Sequence, residues 1–214
     1  MSISAKLENS GLKSLLQKNV ILILMITFTH MFSNSMLAFT TGMLGQSLGI
    51  SATVIALIAS AYTATGLIMR VPSGALCDGA NKKRVLLLAL IVKNVAIVLF
   101  TMANAAGLYA ASRILIGISW SFLGVAQSAL LLSIVDKKVL GTAFSLSAAV
   151  QTLAVTFSRP IAISLFKSVG QSKFGMIVLA ISLSTFVFAL LLDEKKMTTP
   201  ETTNVANNDA NSSA

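Results

Sequence analysis

Long apolar stretches broken by short polar punctuation dominate this chain. About 20 apolar residues in a helix cross a bilayer core of about 30 Å. Six such stretches can be laid out, at 19–41, 52–72, 85–103, 108–135, 139–166 and 174–192. Their apolar positions run all round the helix rather than along one stripe, which excludes the surface helices of a soluble domain. The pattern therefore predicts an all-α, polytopic membrane protein with six transmembrane helices spanning 19–192. Residues 1–18 form a short basic cytoplasmic arm. The tail 193–214, rich in Asn, Thr and Ser, has nothing with which to build a core and is expected to be a disordered cytoplasmic tail or a truncated central linker.

Composition agrees. Hydrophobic residues make up 55% of the 214 and charged residues 11%, where a soluble domain carries about 25% charged. Mean hydropathy is +0.85. The net charge of +9 would suit a nucleic-acid binder, but the basic residues sit between the spans rather than on one face. They read as topology signals. Lys6, Lys13, Lys18, Lys82, Lys83, Arg84, Lys137, Lys138, Lys195 and Lys196 fall on one side, against Lys167, Lys173, Arg113 and Arg159 at most on the other. The positive-inside rule then puts both termini in the cytoplasm, and an even number of spans agrees. Cys77 is the only cysteine, so no intramolecular disulfide forms.

The stretch "SGALCDGANKKR" (73–84) concentrates charge between the second and third spans. Gly74 allows close helix approach, Asn81 tolerates a left-handed turn, and Asp78 suits a helix N-terminus or a cation. Lys82, Lys83 and Arg84 suit anionic headgroups. This stretch resembles the loop between spans two and three of the major facilitator superfamily, roughly Gly-x-Leu-x-Asp-Arg-x-Gly-Arg-Lys. Gly79 and Asn81 depart from that pattern. "RVPSG" (70–74) is similar to the family's lead-in, and "SRILIGISW" (112–120) resembles a span-four segment of drug-efflux-like members. The resemblance implies the N-terminal six-helix half of a twelve-helix transporter, built as two inverted three-helix repeats. Pro72 and Pro160, each with an Arg just before it, fall at corresponding places in the two triplets. It also implies a cytoplasmic gate at Asp78, with Arg70, Gly74, Lys82, Lys83 and Arg84. One departure counts against a proton antiporter: "TFSRP" (156–160) has Arg159 where antiporters carry Gly before Pro.

The spans hold no Asp or Glu but contain His30, Arg70, Lys93, Arg113 and Arg159. A cation at the bilayer centre costs about 2.5–3.5 kcal/mol on insertion scales, so each needs a shield or an exit. Arg113 shares a helical face with Trp120 and Gln127, which points to a cavity, while its position also allows an exit to the outer surface. His30, with Asn34 one turn on, suits either a proton shuttle or a bond to a neighbouring carbonyl. Arg159 suits a cavity or the outer interface, and Lys93 suits snorkelling or a helix contact. Gly117, Ser121, Gly124 and Ser128 form a small-residue stripe that reads as packing.

The expected function is alternating-access transport of a small polar or amphiphilic solute in the plasma (inner) membrane. His30, Asn34, Arg113, Trp120, Gln127 and Arg159 are the expected solute-binding residues. Cations without carboxylates lean toward an anionic solute group. No enzyme signature, metal-spaced set or cofactor motif is present, and no nucleic-acid partner is expected. Six spans make half a transporter, so a second half is expected, as a hetero-pair or a homodimer. The alternative is a six-span scaffold or regulator without transport activity, or an inactive truncated fragment.

Overall fold

A computed structural model describes residues 15–79 and 81–193. These fold into α1 (Lys18–Phe39), α2 (Thr41–Ser47), α3 (Ala52–Ile68), α4 (Arg70–Gly79), α5 (Lys82–Thr101), α6 (Ala106–Ile134), a 3-10 turn (Lys137–Val139) and α7 (Leu140–Leu190). No strand occurs among the described residues. Among the described residues, five stretches are long and apolar enough to cross a membrane: Lys18–Ser47, Ala52–Gly79, Lys82–Thr101, Ala106–Ile134 and Lys137–Leu190. Helices are the expected form, because hydrocarbon offers no partner to an open backbone group.

The expected break between spans five and six narrows to one residue. Helix α7 has 51 residues and a single non-helical position, Gly170, at φ 73° and ψ 175°. A straight helix of that length would reach about 77 Å. Instead its two ends meet: Ala143 lies in one buried apolar cluster with Ala189 and Leu192, while Phe166 and Phe174 lie together in a second. The chain doubles back at Gly170, into arms 140–169 and 171–190. Gln171 secures the bend by donating from Nε2 to the carbonyls of Phe100 (2.9 Å) and Ala103 (2.8 Å), at the end of α5.

The bundle's two ends are closed differently. At one, Asn19 exchanges hydrogen bonds with the Asp193 backbone at 3.1 and 3.2 Å, so both ends of the described chain lie on one side. Lys83 Nζ donates to the carbonyls of Leu190 and Leu192 at 3.1 and 2.7 Å, capping α7. At the other end, Tyr109 donates to Thr41 O at 3.0 Å, and Phe174 packs against Phe100 and Phe166.

The described residues of the polar stretch 73–84 are mainly helical. Helix α4 continues to Gly79, and the chain enters α5 at Asn81. Asn81 has φ −63°, not left-handed, and caps α5 by accepting from Lys83 N at 2.9 Å. An Asn side chain at that position satisfies an otherwise orphaned amide. The break falls earlier, at Met69, three residues before Pro72. Proline has no N–H and clashes with the carbonyl four residues back, which ends a helix there.

Candidate functional site

Helices α3 and α6 approach closely where Gly117 faces the α3 backbone. A Cβ at Gly117 would stand 2.5 Å from Tyr62 O, and one at Gly66 would stand 2.8 Å from the Trp120 ring. This contact sets Tyr62 beside Trp120, with ring centroids 5.7 Å apart. Two guanidinium groups flank the pair. Arg113 lies over Tyr62 at 4.8 Å and Arg70 over Trp120 at 5.2 Å. Cations over aromatic faces are attracted by the ring quadrupole, more strongly away from water. Asn34 joins from α1, donating from Nδ2 to the Tyr62 hydroxyl at 3.2 Å. The result is a continuous string, Asn34–Tyr62–Trp120, with an arginine stacked on each ring.

Next to this string is a cavity of about 700 Å³ between α1, α4, α6 and the first arm of α7. Its polar wall includes Arg70, Gln127, Ser128, Ser147 and Gln151, and its apolar wall includes Met31, Trp120 and Phe144. Such a volume and mixed lining suit a small organic solute. Gln127 is mostly buried, and its Nε2 has no partner.

Several expected site residues come together here, and others do not. Trp120 and Gln127 line the cavity. Asn34 and Arg113 stand behind it in the string, and Arg113 is buried, so it does not snorkel to lipid. Arg70 faces the cavity; it is about 12 Å along α4 from Asp78, which separates it from the expected gate cluster. His30 turns away from the cavity toward α5 and Lys93. Arg159 lies over Phe39 at 4.4 Å. It is exposed and about 29 Å along α7 from Leu140, near the far end of the bundle. Phe39, the last residue of α1, takes the guanidinium there, which leaves Arg159 outside the cavity wall.

Asp78 and Arg84 are exposed, and Lys82 and Lys83 are half-buried. Nothing lies within 4 Å of a Cβ built on Gly74, so the close approach expected there is not made within the described residues. The small-residue stripe divides. Gly117 is the packing residue, whereas Ser121, Gly124 and Ser128 line the cavity.

Sequence reasoning missed Tyr62, Ser147 and Gln151. Tyr62 is one of two tyrosines and stands on an apolar stretch; its hydroxyl signals a partner in the bundle interior. Ser147 and Gln151 lie one turn apart on α7, and that i, i+4 pair was the available signal.

The chain is thus a polytopic helical membrane protein with a solute-sized cavity open on one side of the bundle. The profile of the Major Facilitator Superfamily matches residues 23–211, and the chain belongs to that superfamily. Among solved structures it is similar to the human organic anion transporter MFSD10 (TETRAN), at 14% identity and a TM-score of 0.67. The match covers 82% of this chain and 47% of that one, so the chain spans about half the length of the structure it matches. No curated protein matches the chain.

Proposed function

We propose that the chain is the N-terminal six-pass half of a secondary transporter that moves a small amphiphilic solute by alternating access. The observation that carries this reading is the cavity of about 700 Å³ with its mixed wall, beside the string of Tyr62 and Trp120. Counting the two arms of α7 separately makes six passes, which agrees with the meeting of Asn19 and Asp193 on one side. Lysine distribution favours the cytoplasm for that side, and the plasma (inner) membrane is the location we propose. Membership of the drug-efflux-like branch rests on residues 112–120.

An anionic group on the solute is the favoured chemistry. Arg70 lines the cavity, Arg113 stands behind it over Tyr62, and no span contains Asp or Glu. The related human structure is described as an organic anion transporter. A second six-helix half is the expected partner. Ser60, Thr63, Ser145, Thr152 and Thr156 are exposed on α3 and the first arm of α7. These faces suit protein or a water-filled cleft better than lipid. Asp78, with Lys82, Lys83, Arg84 and Gly74, is assigned to the cytoplasmic gate on the strength of the resemblance alone.

Trp120 is the only tryptophan and provides a built-in reporter. The test combines its fluorescence with flux into proteoliposomes, using the chain alone and with a co-expressed second half. Amphiphilic anions should change Trp120 emission and should cross the membrane once the second half is present. If no solute of any charge does either, the chain is a scaffold and the transport reading is wrong.

A further inference from the structure

The structure contains a second polar cluster that the cavity does not use. Lys93 is wholly buried, 0% exposed, about 17 Å into the 20-residue helix α5. Its Nζ lies 2.6 Å from Ser33 Oγ, 3.2 Å from His30 O and 3.0 Å from His30 Nδ1. His30 is itself buried, about 18 Å into α1. Both residues therefore sit at mid-bilayer depth.

The chemistry is unusual for a structural contact. An ammonium group carries three donors, and three acceptors are in place. All of them are neutral, so nothing offsets the charge itself. A carboxylate would lock Lys93 in its charged form, and no span holds one. A neutral amine would still donate two of the same bonds. The cluster accommodates Lys93 with or without its proton. With Nδ1 accepting from Lys93, the ring hydrogen of His30 is on Nε2, and Nε2 is buried without a partner.

Other titratable groups on the packed elements face elsewhere. On α6, Tyr109 donates to Thr41 O and Arg113 lies over Tyr62. On α7, Arg159 lies over Phe39, and Lys167 and Lys173 are exposed. On α5, Lys82, Lys83 and Arg84 belong to its first turn. On α1, Lys18 is at the helix start.

We propose that Lys93, His30 and Ser33 form a proton-binding site at the bilayer midplane, linked to the cavity through Asn34 and Tyr62. One proton is exchanged: it leaves Lys93 Nζ, passes through the His30 ring from Nδ1 to Nε2, and is released to water when the helices part. Uptake runs the same path in reverse. His30 and Asn34 are one turn apart on α1, and Asn34 holds the Tyr62 hydroxyl against which Trp120 packs. A shift of α1 that follows the change in charge reaches the cavity wall by that route. The proton site stands independently of the transport reading; only its use as the coupling ion rests on that reading.

His30 is the only histidine and Trp120 the only tryptophan, so each gives an unambiguous signal in the intact chain. In bicelles, the ¹⁵N resonances of His30 should pass through a one-proton transition as the pH is varied. Trp120 emission should follow the same curve. Lys93→Arg keeps a cation and its donors but cannot lose the proton; both transitions should vanish in it. Should that variant fail to fold by circular dichroism, Lys93→Met replaces it; with the amine gone, the transition of the unmodified chain should be lost or displaced in pH in both signals. A flat His30 signal in the unmodified chain, or a transition that persists unchanged in the variant, overturns the proton site. Trp120 emission that ignores pH overturns the link to the cavity while leaving the transport reading intact.

Discussion

Gly117 and Arg113 lie one turn apart on α6 and set the geometry of the site between them. A Cβ at Gly117 would press on Tyr62 O, and backbone cannot yield as a side-chain tip does. Gly117→Val should cost about 1–3 kcal/mol through overpacking, read as a lower unfolding midpoint in detergent. It should also separate Tyr62 from Trp120 and alter Trp120 emission. Arg113 is held over Tyr62 and stands buried behind the cavity wall, so it acts on a solute through the string rather than by direct contact. Arg113→Ala should weaken the response of Trp120 to anionic solutes several-fold, and by more than Lys93→Ala does. The reverse order would move the solute site away from the string.

At the scale of elements, Gly170 carries the bend on which the last two passes depend. Its φ of 73° with ψ of 175° belongs to a region essentially reserved for glycine, at a cost of about 1–3 kcal/mol for other residues. Gly170→Ala should therefore destabilise the bundle, or lower the yield of folded protein in the membrane, whereas Ser168→Ala in the exposed approach to the bend should change little. Helix α4 deserves its separate status for the same kind of reason. Pro72 interrupts the long second hydrophobic stretch at Met69; just beyond it Arg70 lines the cavity, while Cys77 is buried in the core.

The whole molecule has one end that gathers Asn19, Lys83 and Asp193 and another that gathers Thr41, Tyr109 and Gln171. Impermeant maleimide applied to intact cells should label Ser168→Cys in a Cys77→Ser background, and should label Lys138→Cys only after permeabilisation. The opposite pattern would invert the topology. Asp78 is exposed at the end of α4, with no assigned role inside this bundle. Asp78→Asn should leave insertion and folding unchanged but reduce flux when a second half is present. Unchanged flux would remove Asp78 from the gate.

Much of this architecture was legible in the chain itself. Apolar length dictates membrane helices because hydrocarbon accepts no unpaired backbone, and the lysine pattern carries an orientation. Trp120 and Gln127 were recognisable as sharing a helical face with Arg113 because a seven-residue spacing returns to one face. The partners across helices were not recognisable. Whether His30 faces the cavity or Lys93, whether Arg159 points inward or covers Phe39, and which glycine of the α6 stripe packs all depend on how each helix is rotated about its axis. That rotation is decided by close contacts such as Gly117 against Tyr62 and Gly175 against Thr101. Such contacts join residues far apart in the chain, and no local pattern of apolar and polar residues encodes them. Sequence alone determined that the helices cross the membrane and in what order; only packing decided which side chains meet.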